Sequence, residues 1–209
     1  MKNKEIKKNG GKSNEEVILD MLRQVKVLRV RDILEAGLHP ETIRRMQKKG
    51  VVIRVSRGLY IQANAIPTQY DTLIEVFKKV PKGVACLLTA LRFHEIGTQD
   101  PREVWVALSR TSKTPKMTYP RIRVFKFSGE ALTTGIEVHK LAGVDLRVYG
   151  VAKTIADCFK YRGKIGPNIA VEALKDALRQ RKCTVDDLWR YARICRVTKI
   201  IQPYLEAIV

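Results

Sequence analysis

The stretch that decides the fold of the N-terminal region is VRDILEAGLHPETIRRMQKKGVVIRVSRGLYI, residues 30–61. Its pattern predicts two short helices separated at Gly37, followed by two strands joined by a tight basic turn. This order is that of a winged helix-turn-helix, whose second helix normally enters a DNA groove.

The second of these helices has clear ends and a cationic side. Pro40 suits the first helical position, and Gly50 stands where a left-handed C-terminal cap is favoured. Ile43 and Met46 share one face at helical spacing, which predicts a thin buried side. The residues expected opposite or beside them are Glu41, Thr42, Arg44, Arg45, Lys48 and Lys49. The alternative is an ordinary solvated basic helix.

Two apolar runs after the helix predict a β-hairpin, the wing. They are Val51–Val55 and Leu59–Ile61, and Gly58 between them can take a positive φ. Arg54 and Arg57 would then grip phosphates beside the groove. Upstream, the apolar stripe of residues 15–25, capped by Asn14, predicts a first helix that packs under the other two.

The cationic side chains divide by their expected role in binding double-stranded DNA. We expect the wing, Arg31 and Lys49 to contact phosphates, which position the protein. We expect Thr42 and Arg45, with His39 or Glu41, to read base edges.

The net charge supports a polyanionic partner. The 209-residue chain holds 40 Lys and Arg against 21 Asp and Glu, a formal charge of +19. RNA and an anionic membrane surface are the competing partners. No cationic amphipathic helix with an aromatic face stands out, and no apolar run reaches the roughly 20 residues that a membrane span needs, so we expect no membrane contact.

Composition divides the chain into four segments. They are a flexible basic arm at 1–13, the winged helix-turn-helix at 14–62, a linker at 63–71 and a C-terminal domain at 72–209. The arm lacks the apolar core of a secretory signal, and the four cysteines show no C-x-x-C spacing. We therefore expect reduced thiols, a cytoplasmic protein, and no metal or other cofactor.

The C-terminal domain is expected to be α+β, with a small, mostly antiparallel sheet between flanking helices. Between two of its β-like runs lies a polar segment, residues 109–119, that contains Arg110, Lys113 and Lys116. These three cations are candidates for a secondary DNA contact.

No catalytic motif is present, and we expect the protein not to be an enzyme. The rival hypothesis is a metal-dependent nuclease that uses Glu137, Lys140 and Asp145, but their spacing is not the E-x-K usual in such sites. Salt-bridged strand residues explain them better. Asp157, among apolar neighbours, is expected to cap or to pair with Lys160 or Arg162.

Three segments together resemble one protein family. RVSRGLYI, PKGVACLLTALRFHEIGT and VAKTIADCFKYRGKIGPNIAVEALKDAL, within residues 14–209, resemble the AbiEi antitoxins of type IV toxin–antitoxin systems, which act in abortive phage infection. The helix-turn-helix is shared with many regulators, whereas residues 151–178 are more specific to this family.

The resemblance implies a protein that represses its own operon by binding repeats in the promoter. Its DNA contacts would be Arg44, Arg45, Lys48, Lys49, Arg54 and Arg57. It also implies a C-terminal domain that neutralises a nucleotidyltransferase-type toxin without a stable complex. Self-association on DNA is left open, and so is a transcriptional regulator without antitoxin activity.

Overall fold

The computed structural model of this protein describes residues 12–208 and divides them into two compact units. The N-terminal unit comprises residues up to Lys79 together with Lys140–Val144, and the C-terminal unit comprises Val80–His139 and the residues from Asp145 onward. Of the basic arm predicted at 1–13, only Lys12 and Ser13 lie within the described residues. No helix among residues 12–208 is long and apolar enough to cross a bilayer.

The N-terminal unit is a winged helix-turn-helix, as the sequence predicted. Its three strands form an antiparallel sheet in the order β1-β3-β2. In chain order the elements are helix α1 (Asn14–Gln24), strand β1 (Leu28–Arg29), α2 (Val30–Glu35), α3 (Pro40–Lys48), β2 (Val52–Ser56), β3 (Leu59–Gln62) and α4 (Asp71–Lys79).

The first helix begins one residue earlier than the sequence suggested. Ser13, not Asn14, is the N-cap, because its Oγ accepts the Glu16 N–H at 3.3 Å and Glu16 Oε2 accepts the Ser13 N–H at 2.7 Å. This reciprocal pair is a capping box. From it, α1 carries Ile18 and Leu22 into a core that Ile33, Ile43 and Met46 of the next two helices complete.

Helix α4 belongs to the N-terminal unit by its contacts. Lys26 Nζ lies 2.6 Å from Asp71 Oδ1 at its start, and Lys78 Nζ lies 2.8 Å from Asp32 Oδ2 at its end. This grouping differs from the linker predicted at 63–71, which assigned α4 to the second domain. The partners are 45 and 46 residues apart in sequence, so no local pattern could associate them.

The remaining elements alternate short helices with the strands of a second sheet, in the order β6-β5-β4-β8-β7. They are β4 (Val84–Ala85), α5 (Leu87–Phe93), β5 (Val104–Ser109), β6 (Ile122–Phe127), α6 (Glu130–Thr133), β7 (Ile136–Leu141), β8 (Val144–Tyr149), α7 (Val151–Lys160), α8 (Arg162–Ile165), α9 (Pro167–Arg179), α10 (Val185–Cys195) and α11 (Thr198–Glu206).

This sheet is mixed, whereas the sequence predicted a mostly antiparallel one; the α+β class is confirmed. Strand β4 is antiparallel to β5 but parallel to β8, and β5 is parallel to β6 from Val104↔Ile122 to Ser109↔Phe127. Because β5 and β6 run in the same direction, the chain must return to the end of the sheet at which β5 begins. Residues 110–121 are long enough for that connection.

Helix α7 carries a fully buried ion pair inside the C-terminal core. Lys153 Nζ lies 2.5 Å from Asp157 Oδ2, and both side chains are 0% exposed. Cys195 Sγ of α10 donates to Asp157 Oδ1 at 3.2 Å. The expectation that Asp157 pairs with Lys160 or Arg162 was therefore wrong, because position 153, one helical turn earlier, supplies the cation.

Candidate nucleic-acid interface

The recognition helix α3 has the ends that the sequence predicted. Pro40 is its first residue, and Gly50 follows the C-cap residue Lys49 with φ +73°. His39 is the N-cap, and its Nδ1 accepts the Glu41 N–H at 3.2 Å. Because this bond occupies one ring nitrogen of His39, only the other is available to a base edge.

The two faces of α3 are sharply different. Ile43 and Met46 are 0% exposed, and Thr42 is only 2% exposed. Thr42 was expected to read a base edge; its burial withdraws the side chain from that surface, and we remove it from the candidate contacts. The exposed residues of the helix and its cap are Glu41, Arg44, Arg45, Gln47, Lys48 and Lys49.

Ion pairs divide the cations of α3 into two groups. Arg44 NH1 lies 3.3 Å from Glu41 Oε2 within the helix, and Lys49 Nζ lies 2.8 Å from Glu15 Oε1 of α1. Arg45 and Lys48 have no acidic partner among residues 12–208. These two side chains are therefore exposed cations that no carboxylate of the described residues pairs with.

The wing holds two exposed arginines at the end of the β2–β3 hairpin. Its turn is Arg57-Gly58, with Gly58 at φ +75°. The register slips between Arg54 and Ser56, so Val55 forms a bulge. Arg54 Nε donates to the Ser56 carbonyl at 3.3 Å, whereas Arg57 has no polar partner among the described residues.

The turn of the wing is hydrogen-bonded to the start of helix α2, and its strand β3 pairs with β1. The Val30 N–H, at the start of α2, donates to the Gly58 carbonyl at 3.1 Å, and β1 pairs with β3 through Leu28↔Tyr60. Strand β1 is only two residues long, which is too short for an alternating pattern to predict it. Arg31 of α2 is exposed and pairs with Glu35 at 2.7 Å.

A network of hydrogen bonds and an ion pair, which no sequence pattern predicted, joins α2 to the end of α4. Asp32 accepts hydrogen bonds from the Arg29 backbone N–H at 3.0 Å and from the Arg29 Nε at 3.1 Å, besides its ion pair with Lys78. Arg29 NH1 also donates to the Lys78 carbonyl at 3.0 Å. Partial burial alone would raise the pKa of Asp32, but these bonds outweigh it and hold the pKa below its usual value.

The secondary DNA contact predicted from the sequence lies in the C-terminal unit. Arg110, Lys113 and Lys116 are exposed in the irregular segment between β5 and β6. None of the three has an acidic partner among residues 12–208.

Of the three residues considered for catalysis, Glu137 has a polar partner on its own strand. Glu137 Oε2 lies 3.2 Å from His139 Nε2, and His94 Nε2 is 2.9 Å from the Tyr149 carbonyl. Burial lowers the pKa of His94. Within residues 12–208, no cluster of three or more His, Cys, Asp or Glu side chains could hold a metal ion.

Comparison with known proteins finds one family model and several solved structures that are similar to this chain. Residues 16–61 match the sequence model of a family described as "Transcriptional regulator, AbiEi antitoxin". Among solved structures, the crystal structure of the RV2827C protein from Mycobacterium tuberculosis is similar with a TM-score of 0.57 and 15% identity, over 85% of this chain and 70% of that one. At this identity the likeness concerns the fold alone. No curated protein matches the chain significantly.

The family match covers α1 through the wing, which is the part of the chain that builds the candidate interface. The resemblance predicted from the sequence is confirmed there: residues 16–61 are similar to a family described as AbiEi antitoxin transcriptional regulators.

Proposed function

We propose that this protein is a DNA-binding antitoxin of a type IV toxin–antitoxin system that represses its own operon. The observation that carries the proposal is the exposed side of α3. There Arg45 and Lys48 stand without an acidic partner among the described residues, in a segment that matches AbiEi regulators. A solvated basic helix on an unrelated domain would explain the charge, but not its combination with a wing and this family match.

The proposed contacts fall into two groups, those to base edges and those to phosphates. Arg45, near the middle of α3, is suited to a bidentate contact with a guanine, and the exposed Gln47 beside it is suited to an adenine. Glu41 and the free ring nitrogen of His39 are secondary candidates for base edges. The proposed phosphate contacts are Arg31, Arg44, Lys48, Lys49, Arg54 and Arg57.

The substitution Arg45→Ala tests whether this helix reads sequence. We expect affinity for the promoter repeats to fall about tenfold or more, since one bidentate base contact contributes about 1–3 kcal/mol of discrimination. Affinity for random duplex should change far less. Fluorescence anisotropy with both duplexes measures the difference, and Arg23→Ala on α1 is the control with the same loss of charge. An equal loss on both duplexes would show that Arg45 touches only phosphate.

The salt dependence of the same binding curves counts the phosphate contacts. Neutralising about four to six phosphates gives a slope near −4 to −5 in a plot of log affinity against log salt, because each contributes about −0.9. A slope near zero would contradict the electrostatic part of the proposal.

We further propose that the C-terminal unit neutralises a nucleotidyltransferase-type toxin encoded in the same operon, as part of an antiviral abortive-infection response. A repressor of this kind works where the DNA lies, so the proposed location is the cytoplasm. The test is growth after co-expression of the full chain with the neighbouring gene product. Arg45→Ala should lose repression but still restore growth.

A transcriptional regulator without antitoxin activity would behave differently in that test. Its neighbouring gene would encode an unrelated protein, or the toxin would stop growth equally with and without this chain. Either result would exclude neutralisation while leaving the DNA-binding proposal intact.

A further inference from the structure

Two segments of the C-terminal unit contain cations and no acidic residues. Residues 104–129 hold six Lys or Arg and residues 158–171 hold three, with neither Asp nor Glu in either segment. Together the nine are Arg110, Lys113, Lys116, Arg121, Arg123, Lys126, Lys160, Arg162 and Lys164.

Aromatic packing brings the two segments together. The Tyr161 ring, at the end of α7, lies 5.2 Å from the Phe125 ring and 5.5 Å from the Phe127 ring of β6. The Tyr161 hydroxyl donates to the Lys126 carbonyl at 3.3 Å. The two segments therefore meet beside β6, and we name their nine cations together the β6 cationic surface.

Two of these cations, Arg123 and Lys164, lie over aromatic rings. Arg123 Cζ lies 4.8 Å from the centre of the Trp105 ring, and Lys164 Nζ lies 5.7 Å from that of Phe125. None of the nine forms an ion pair within residues 12–208. A cation over a ring keeps its charge available to an anion, whereas a salt bridge would neutralise it.

An exposed aromatic side chain stands within the same acid-free segment. Tyr119 is 66% exposed, between Lys116 and Arg121. Strand β6 is also an edge strand of its sheet, with β5 as its neighbour on one side only. Cations along an open edge, with an aromatic ring beside them, are the features with which proteins bind single-stranded nucleic acid, because the bases stack on the ring.

We propose that the β6 cationic surface binds single-stranded nucleic acid, with Tyr119 stacking on a base and the cations contacting the backbone phosphates. This activity is separate from the proposed duplex recognition by α3 and the wing. It also replaces the secondary duplex contact that the sequence suggested for Arg110, Lys113 and Lys116.

The test measures binding of the full chain to fluorescein-labelled 20-nucleotide oligo(U) and oligo(dT), and to a 20-base-pair duplex. The triple variant Lys113→Gln, Arg121→Gln, Lys164→Gln removes three charges from the surface. Its matched control, Lys175→Gln, Arg193→Gln, Lys199→Gln, removes three exposed charges from α9, α10 and α11. The double variant Arg45→Ala, Arg57→Ala reports on the winged unit.

We expect the surface variant to bind single strands at least tenfold more weakly than its control, and duplex within threefold of it. Its salt slope on single strands should be shallower by about two, since each lost phosphate contact removes about 0.7. The double variant Arg45→Ala, Arg57→Ala should show the reverse: weaker binding to the duplex and unchanged binding to single strands. Preference between oligo(U) and oligo(dT) then identifies the natural strand as RNA or DNA.

Tyr119 distinguishes stacking from simple charge attraction. Tyr119→Ala should weaken single-strand binding about tenfold, and Tyr119→Phe should retain it, because the ring rather than the hydroxyl stacks. The proposal is overturned if the surface variant matches its control on single strands, if it loses duplex equally, or if Tyr119→Ala has no effect.

Discussion

The N-terminal unit keeps its ion pairs partly in water, whereas the C-terminal unit encloses one completely. In the first, the side chains of Lys78 and Asp32 are 13% and 15% exposed, and those of Lys26 and Asp71 are 16% and 32% exposed. In the second, Lys153 and Asp157 are both 0% exposed. The two pairs of the winged unit join α4 to Asp32 of α2 and to Lys26, which lies between α1 and β1. The buried pair lies within α7 alone, and its Asp157 also accepts a hydrogen bond from Cys195 of α10.

This difference separates two uses of charge. A partly hydrated pair loses less solvation than a fully buried one, and here it joins two elements of the unit. A fully buried pair loses the hydration of both ions, so its contribution to stability over an apolar pair is small or negative. The buried pair instead disfavours any conformation in which one of its two ions is left unpaired. Close packing around it agrees with that role, since a Cβ on Gly135 would lie 2.9 Å from Lys153 Cβ.

The largest expected effect is that of breaking the buried pair. Lys153→Met leaves Asp157 without its cation in an apolar core, and we expect the free energy of unfolding to fall by about 3–5 kcal/mol. Urea unfolding followed by tryptophan fluorescence measures this, because both tryptophans, Trp105 and Trp189, lie in the C-terminal unit.

The double variant Lys153→Met, Asp157→Leu is the control for the loss of the lysine itself. It should be clearly more stable than the single variant, because no ion is left unpaired. If the double variant is as unstable as the single one, the pair acts through packing, and the contrast between the two units disappears.

The sequence could predict those features of the fold that local residues determine. Pro40 and Gly50 mark the ends of α3, and alternation in residues 144–148 marks β8. The cationic side of α3 followed from helical spacing alone. The burial of Thr42 did not follow from the spacing, since a threonine at the margin of an apolar face can be either buried or exposed.

What the sequence could not predict depends on contacts between distant residues. Asp32 and Lys78 are 46 positions apart, and only the folded chain brings them to 2.8 Å. Asp157 is a different case, because Lys153 lies four residues before it, at the spacing of one helical turn. That signal was present, but the cations at 160 and 162, three and five residues after Asp157, competed with it.

An intermediate effect is expected from the Asp32 network in the winged unit. Asp32→Ala removes the acceptor shared by Arg29 and Lys78, and hydrogen bonds to a charged group contribute about 1.5–3 kcal/mol. Amide hydrogen exchange of peptides from residues 12–79 should show faster opening of this unit. Exchange in peptides from the C-terminal unit should stay unchanged, and equal acceleration in both would contradict the assignment of α4 to the N-terminal unit.

The same network makes the winged unit sensitive to acid. Because the pKa of Asp32 is lowered in the folded protein, its stabilisation is fully present above the unfolded pKa of about 3.9 and is lost as the pH falls through the folded value. Hydrogen exchange at decreasing pH should show the N-terminal unit losing protection in that window. Asp32→Asn should remove the pH-dependent part, and an identical acid profile for the variant would count against this explanation.

The smallest effect is expected at the exposed pair between Lys49 and Glu15. Glu15→Gln frees Lys49 and removes a carboxylate near the proposed phosphate contacts. The free energy of unfolding should change by less than about 1 kcal/mol, because exposed ion pairs generally contribute no more than that. Affinity for random duplex should rise about twofold, and the salt slope should steepen by up to about 0.9 for one further phosphate. Glu103→Gln changes the net charge equally but lies in the C-terminal unit. If both variants raise the affinity for duplex alike, the total charge of the protein governs binding. If only Glu15→Gln raises it, the ion pairs of α3 control the affinity. A single substitution can then change an exposed pair of the winged unit without unfolding it, which is not expected for the buried pair of α7.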